Sequence, residues 1–331
     1  ISRAIDYAHR FDARVYITVN TLVYPEEIKS VERLVGELYR RGADALIVQD
    51  MALLRMDIPP IELHASTQCD IRTPEKAAFL QAAGFSQLVL PRELTLEQTA
   101  AIAAAVDVPL EAFVHGALCV SYSGDCQAGF ATTGRSANRG ECPQICRHRF
   151  DLTDNQGNKI IEGKHLLSLR DLNRSVLLES MLEAGVTSFK IEGRLKDAGY
   201  VKNIVAYYRQ CLDTIIDAHP DRYCRSSLGH TELTFTPDPS RSFNRGFTTY
   251  FTTGDRPEGR MASTDTPKWT GLPVGKAVSC RNGRITARLT QPLANGDGLG
   301  FFDAARQYHG FRLNRVEGDT LFAAQPAPEI P

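Results

Sequence analysis

Six short apolar runs, separated by helical stretches, recur through the first 220 residues and constrain the fold more than any other feature. The runs are RVYITVN (14–20), DALIVQD (44–50), ELHASTQ (62–68), SQLVLPR (86–92), LEAFVHG (110–116) and SFKIEGR (188–194). They are rich in Val, Ile, Leu and Phe, as strands buried on both faces of a parallel sheet tend to be. Between them, PEEIKSVERLVGELYRRG sets Ile28, Val31, Leu34, Val35 and Leu38 on one helical face and stops at Gly42. TPEKAAFLQAAG opens on a Thr-Pro start and also ends in Gly. DLNRSVLLESMLEAG and GYVKNIVAYYRQCLDTII read as further helices. Such repeated strand–helix units predict a parallel α/β fold. An open doubly wound sheet and a (β/α)8-type barrel lacking its first two units fit the spacing equally. No G-x-G-x-x-G follows an early strand, which weakens a dinucleotide-binding version.

Two departures from this rhythm set the domain organisation. Residues 117–187 interrupt the alternation with a cysteine cluster and then RFDLTDNQGNKIIEGKHLLSL, a hairpin turning at Asn155-Gln156-Gly157. From about residue 226 helical periodicity gives way to Thr, Gly, Pro and alternating stretches such as GKAVSC and RITARLTQPL. The Gly-rich NGDGLGFF (295–302) has no helix after it and reads as a hairpin turn. The expected division is a barrel-like catalytic domain over 1–225, with a Cys-rich insertion at 117–165, and an incomplete β-rich domain over 226–331. The chain opens without Met and closes on AAQPAPEIP, so both ends read as cut from something longer. With 38 Lys and Arg against 39 Asp and Glu, the net charge of −1 argues against a wholesale nucleic-acid coat protein, though not against a local basic patch. No apolar run approaches the roughly 18 residues of a membrane span, and a cytoplasmic location is the default expectation.

Polar residues gather at the carboxyl ends of the expected strands, where parallel barrels do their chemistry. They are Asn20, Gln49, Asp50, Ser66, Thr67, Gln68, Arg92, His115, Lys190, Glu192 and Arg194. Alternation puts Lys190, Glu192 and Arg194 on one side of their strand, Glu111 with His115, and His64 with Ser66 and Gln68. Polar groups on a buried strand are costly unless paired or used, so an internal salt-bridge network and a ligand site both stand open. Arg92 and Arg194 would suit a carboxylate or phosphate, and Glu192, His115 and Glu111 are the acid–base candidates.

Four of the eight cysteines, Cys119, Cys126, Cys142 and Cys146, fall within 28 residues as C-x6-C-x15-C-x3-C. Thiolates in such a cluster hold soft metals, either an iron–sulfur cluster or tetrahedral zinc. Reduced, unligated thiols are the plain alternative. Arg135, Arg139, Arg147 and Arg149 surround the cluster and would meet an anionic partner such as RNA, or simply face solvent. Hydrolase signatures such as H-E-x-x-H and G-x-S-x-G are missing.

EAFVHGALCVSYSGDC (111–126) resembles the signature of the bacterial U-32, or collagenase-like, peptidase family. HASTQ (64–68), RGECPQICR and KIEGR (190–194) fit it too, and the likeness spans nearly the whole chain. FTPDPSRSFNRGFTTYF (235–251) and LPVGKAVS (272–279) are similar to one branch, which hydroxylates a cytidine of 23S ribosomal RNA. The resemblance implies a barrel fold and a [4Fe–4S] cluster on Cys119, Cys126, Cys142 and Cys146, with Cys146 the least firmly transferred. It also implies oxygen-independent RNA hydroxylation with prephenate as hydroxyl source, a dicarboxylate that would suit Arg92, Arg194 and Lys190. Asn20, Gln49, His64, Thr67 and Gln68 would complete the substrate site, and the basic loop and β-rich domain would grip RNA. The family name keeps peptidase activity as a rival, and a non-catalytic RNA-binding factor with a structural metal is a second.

Overall fold

The computed structural model describes residues 1–254, 261–281 and 283–324; most of the closing AAQPAPEIP lies outside them. In chain order the strands are β1 (Tyr16–Val19), β2 (Ala45–Val48), β3 (Glu62–Ala65), β4 (Gln87–Val89), β5 (Leu110–Gly116), β6 (Phe150–Thr153), β7 (Lys159–Lys164), β8 (Asp171–Asn173), β9 (Val186–Ile191), β10 (Phe247–Thr248), β11 (Gly275–Arg281), β12 (Arg284–Leu289), β13 (Gly298–Phe302), β14 (Tyr308–Glu317) and β15 (Thr320–Ala323). The α-helices are α1 (Ser2–His9), α2 (Ile28–Arg40), α3 (Pro74–Ala82), α4 (Leu96–Ala103), α5 (Ala128–Thr133), α6 (Leu178–Glu183) and α7 (Ala198–Ala218). They form two compact units. The first takes 1–145, 171–237 and 247–261, and the second takes 146–170, 238–246 and 262–331.

The first unit is α/β. Its strands run β1-β2-β3-β4-β5 in parallel, and β9 lies parallel to β5. β8 joins the carboxyl end of β5 antiparallel, pairing His115 with Asn173, and β10 adds parallel to β8. Among the described residues no ladder joins β1 to β9 or β10, so the hydrogen-bonded path is open. The six apolar runs are all strands of this sheet. β2 is buried at all four positions and β5 at all seven, which explains their unbroken apolar character.

Local signals explain the helices. Thr73 caps α3 by accepting from the Lys76 amide at 3.3 Å, with Pro74 in the first turn. Thr95 and Gln98 form a reciprocal capping box on α4, and Asp197 accepts from the Tyr200 amide at 2.7 Å to start α7. On α2, Val35 and Leu38 are buried against the sheet, while Leu34 stays 45% exposed. One core packs Leu46, Val48, Ala65, Leu80, Leu88 and Ile102; another packs Ala112 and Val114 against α6 and α7. Each buried Leu, Ile or Val among them contributes about 1.5–3 kcal/mol. The helical reading of DLNRSVLLESMLEAG needs correction. Asp171–Asn173 form β8, and α6 starts only at Leu178, because the β5 edge offers those three residues a ladder.

The second unit is β-rich. It has a five-stranded antiparallel sheet, ordered β11-β12-β15-β14-β13, and the separate β6–β7 hairpin. That hairpin turns where the sequence indicated, with Asp154 accepting from the Gln156 and Asn158 amides. Ile285, Ala287, Leu313 and Leu321 form the core under the larger sheet. In NGDGLGFF only the first residues turn; Gly298–Phe302 form β13 against β14. No helix among the described residues is long and apolar enough to cross a membrane.

Candidate functional site

Two layers of polar side chains occupy the first unit, and they do different jobs. In the deeper layer Glu111, 5% exposed, accepts from Lys190 Nζ at 2.7 Å on one oxygen. Its other oxygen accepts from Gln87 Nε2 and Ser188 Oγ, both at 2.9 Å. All of this carboxylate's obvious partners come from the protein. His64, 1% exposed, lies nearby with Tyr16 edge-on at 4.5 Å, and burial lowers its pKa. The pairing of Lys190 with Glu111, not with Glu192, corrects the expected network of Lys190, Glu192 and Arg194.

The upper layer sits at the strand ends. Arg92, just past β4, lays its guanidinium over the Phe113 ring at 3.6 Å and reaches Glu192 at 3.5 Å. Glu192 also accepts from the Arg194 amide at 2.9 Å, while the Arg194 side chain is exposed. Beneath Arg92 lies Arg174, 3% exposed, which donates to the Phe113 carbonyl at 2.9 Å and to the Arg92 carbonyl at 2.7 Å. Its Nε has no partner, and burial pushes its pKa down to about 10, with the Arg92 charge adding to the effect. Two neighbouring guanidiniums, Arg174 buried and Arg92 half-buried, create a field that favours an anion. Arg174 escaped the sequence reading because it sat inside the segment read as helix.

His115 does not share the side of Glu111 that alternation implied. Between Phe113 and His115 the β5–β9 register slips, and this bulge turns the imidazole toward α7 and β10. There it packs against Tyr200, Tyr208 and Phe247 at centroid distances of 6.2, 5.4 and 5.5 Å. The Tyr208 hydroxyl lies 2.8 Å from the Val114 carbonyl, 3.1 Å from Asn173 Oδ1 and 3.3 Å from His115 Nδ1, which ties the imidazole to α7 and β8. Burial pushes the His115 pKa down to about 4, with Lys196 adding to the effect, so the ring is neutral near pH 7.

Cys119 follows β5 directly. Burial pushes its thiol up, Arg92 pulls it back, and Cys126 and Cys142 are near enough to raise it further. All four clustered cysteines are free; Cys146 is the first residue of the second unit. As the side chains stand, no three His, Cys, Asp or Glu among the described residues converge to hold a metal ion. The donor set nevertheless suits a soft metal in kind: reduced thiols, three of them on one loop system, two bearing electrostatically on the third. Between Cys119 and Cys126, Ser123 takes a left-handed backbone (φ 52°) and donates from Oγ to Asp70 at 2.7 Å. Its amide donates to Glu93 at 3.0 Å, and the other Glu93 oxygen is buried without a partner. Glu93, Asp70, Arg72, Lys76, Tyr122 and Phe251 help line a cleft of about 750 Å³ that the sequence reading did not find.

Of the remaining expected residues, Asn20 and Gln68 pair at 2.6 Å, Thr67 donates to the Leu90 carbonyl at 3.3 Å, and Gln49 Oε1 is buried without a partner. The arginines expected to meet RNA divide. Arg139 is used inside the fold, paired with Glu27 at 2.6 Å, stacked on Tyr24 and donating to the Leu22 carbonyl. Arg147 donates to Ser168 Oγ at 3.0 Å and the Leu169 carbonyl at 2.6 Å. Arg135 and Arg149 are exposed.

A parallel strand-end site with the Cys119 thiol near the Arg92 guanidinium defines this chain as an α/β protein of enzyme-like build. Residues 1–262 match the sequence profile of peptidase family U32, and the chain belongs to that family. It is 50% identical over 328 residues to the 23S rRNA 5-hydroxycytidine C2501 synthase of Escherichia coli (strain K12), covering 98% of this chain and 50% of that protein. It is 37% identical to an uncharacterized protease of Methanocaldococcus jannaschii, over 64% of this chain and 54% of the relative. It is 30% identical to tRNA hydroxylation protein P1 of Bacillus subtilis (strain 168), over 67% and 55%. The chain thus spans about half the length of these curated relatives.

Proposed function

We propose that this chain is the strand-end part of an RNA base hydroxylase that acts, without molecular oxygen, on a cytidine of cytoplasmic 23S ribosomal RNA. The observation that carries the reading is that Cys119, three residues past β5, and Arg92, three residues past β4, stand at the ends of neighbouring parallel strands. The name of the Escherichia coli relative supports the choice of base and RNA. We read β1 to β5 and β9, six parallel strands in succession, as six units of a (β/α)8-type barrel.

In this reading Cys119, Cys126 and Cys142 help hold a [4Fe–4S] cluster, with Cys146 the expected further ligand. When bound, such a cluster supplies redox and Lewis-acid chemistry. Zinc on the same thiols would instead make the loop a structural knuckle. Arg92 receives a carboxylate of a prephenate-like hydroxyl donor, since its 3.5 Å contact with Glu192 is long and readily exchanged. Arg174, committed to two carbonyls, adds positive field and fixes the backbone of Arg92. Glu192, 29% exposed at its side chain, is the carboxylate placed to move a proton. His115, neutral and enclosed, positions β5 against α7. The target base must leave its stack to reach the strand ends, most easily from a single-stranded loop.

The protease name of one relative favours peptidase chemistry, but the side chains do not. Ser123 gives its hydrogen to Asp70, and burial holds Cys119 toward the protonated thiol, the weaker nucleophile. The test is nucleoside mass spectrometry of 23S RNA from cells whose protein carries Cys142→Ala, with protein abundance checked by immunoblot. Loss of 5-hydroxycytidine with the protein present is expected. Unchanged modification would overturn the assignment.

A further inference from the structure

The two units differ sharply in charge. The second unit holds 15 Lys and Arg against 10 Asp and Glu, a net of +5. The first holds 23 against 29, a net of −6, which accounts for the whole chain's −1. The near-neutral total therefore conceals a basic β-rich unit joined to an acidic α/β unit.

On that basic unit the outer face of the β13–β14 pair is built unusually. The register sets Gly298 opposite Arg312, Gly300 opposite Gly310, and Phe302 opposite Tyr308, so these six share one face. Leu299, Phe311 and Leu313 turn the other way into the core. The three glycines are exposed and put no side chain on the face. A Cβ at Gly300 would meet the hydroxyl end of the Tyr308 ring, so a larger residue there would have to push Tyr308 aside. A groove of about 760 Å³ opens here, lined by Arg241, Trp269, Leu272, Pro292, Tyr308 and Arg312, with Leu299 and Phe311 reaching it from the core side.

The chemistry on this groove selects among occupants. Arg312 is exposed and makes no ion pair among the described residues. The Arg241 side chain is 64% exposed and, among the described residues, pairs with Asp238 alone, at a loose 3.6 Å. Asp297 also lines the groove, but it accepts from the Ala294 amide at 2.8 Å and so closes its own turn. Aromatic rings beside exposed guanidiniums match a base stacked on an aromatic with its phosphate on arginine. Duplex is excluded by the same logic, because its bases offer no free faces. We infer that this groove is a stacking subsite for single-stranded RNA, holding a nucleotide that flanks the modified one. The inference rests on the RNA-directed reading above and adds to it a place and a mode of contact.

The sole tryptophan of the chain, Trp269, reports on the groove directly. Titrating the full chain with a single-stranded oligocytidylate should quench its fluorescence saturably, with affinity falling as salt rises. Tyr308→Leu should weaken binding about tenfold, the size expected for losing one base stack. Tyr308→Phe, which keeps the ring, should bind like the parent and guards against a folding artefact. Arg312→Gln should weaken binding and flatten the salt dependence. Absence of quenching, equal affinity of Tyr308→Leu and parent, or quenching by a proline-rich peptide but not by RNA would each overturn the inference. The Cys142→Ala mass measurement is independent of this one. Quenching that depends on Tyr308, alongside unchanged hydroxycytidine, would sustain the groove and sink the hydroxylase assignment; the opposite pair would do the reverse.

Discussion

Acid should unfold the first unit partly through one imidazole. His115 is 2% exposed among aromatic rings, and its pKa stands at about 4 against the ordinary 6.5. The folded value lies below the unfolded one, so the unfolded chain takes up the proton first as pH falls. Stability is therefore undiminished above pH 6.5 and is lost progressively between 6.5 and about 4. A gap of about 2.5 units at 1.36 kcal/mol each makes the full loss about 3 kcal/mol. His115→Phe removes the titration while keeping a ring for Tyr200, Tyr208 and Phe247 to pack against. Urea unfolding followed by circular dichroism at a series of pH values gives the comparison. Other groups lose stability in the same direction on acidification, among them buried His64 and the hydrogen-bonded carboxylates Asp44 and Asp70. They remain in both proteins, so the difference between the two curves isolates His115. The parent should lose about 3 kcal/mol more than the variant across this window. Parallel curves would refute the claim that the ring is held neutral by burial.

Two further substitutions probe the polar layers. Glu111→Ala leaves buried Gln87 and half-buried Lys190 and Ser188 without their shared carboxylate and should cost about 3 kcal/mol, with Glu111→Gln milder; thermal melting decides, and a variant as stable as the parent would show the network to be slack. Gly116 has φ +106°, and a Cβ there would lie 2.6 Å from the Glu192 carbonyl oxygen. Gly116→Ala should therefore displace Glu192 and abolish the RNA modification while leaving far-ultraviolet circular dichroism nearly unchanged; full activity would remove Glu192 from the site.

Much of the strand framework was readable because buried parallel strands must be apolar along their whole length. All six runs became strands, and the Thr-Pro start and terminal glycines marked helix ends through local hydrogen bonding. β8 and β10 were not readable. Three- and two-residue strands carry no periodicity of their own; β8 forms on the carboxyl end of β5, and β10 forms on β8. The candidate site divides the same way. Arg92, Glu192 and the cysteines were visible from position and residue type. The bulge that turns His115 away, the pairing of Lys190 with Glu111 and the burial of Arg174 depend on register, which alternation along one strand does not reveal.

The basic second unit makes the same point at larger scale. Its residues come from three separate stretches of chain, so a linear count averages them against the acidic unit and returns a value near zero. The sequence by itself determined which segments are strands, where helices begin and end, and which family the chain resembles, because apolar period, capping and short motifs act over a few neighbouring residues. Only the tertiary structure decided which carboxylate meets which cation, which strand end brings a guanidinium near the Cys119 thiol, and which glycines face Tyr308 and Arg312 across a strand pair. Those outcomes depend on distances between residues far apart in the chain, which are set when strands pair and the core closes.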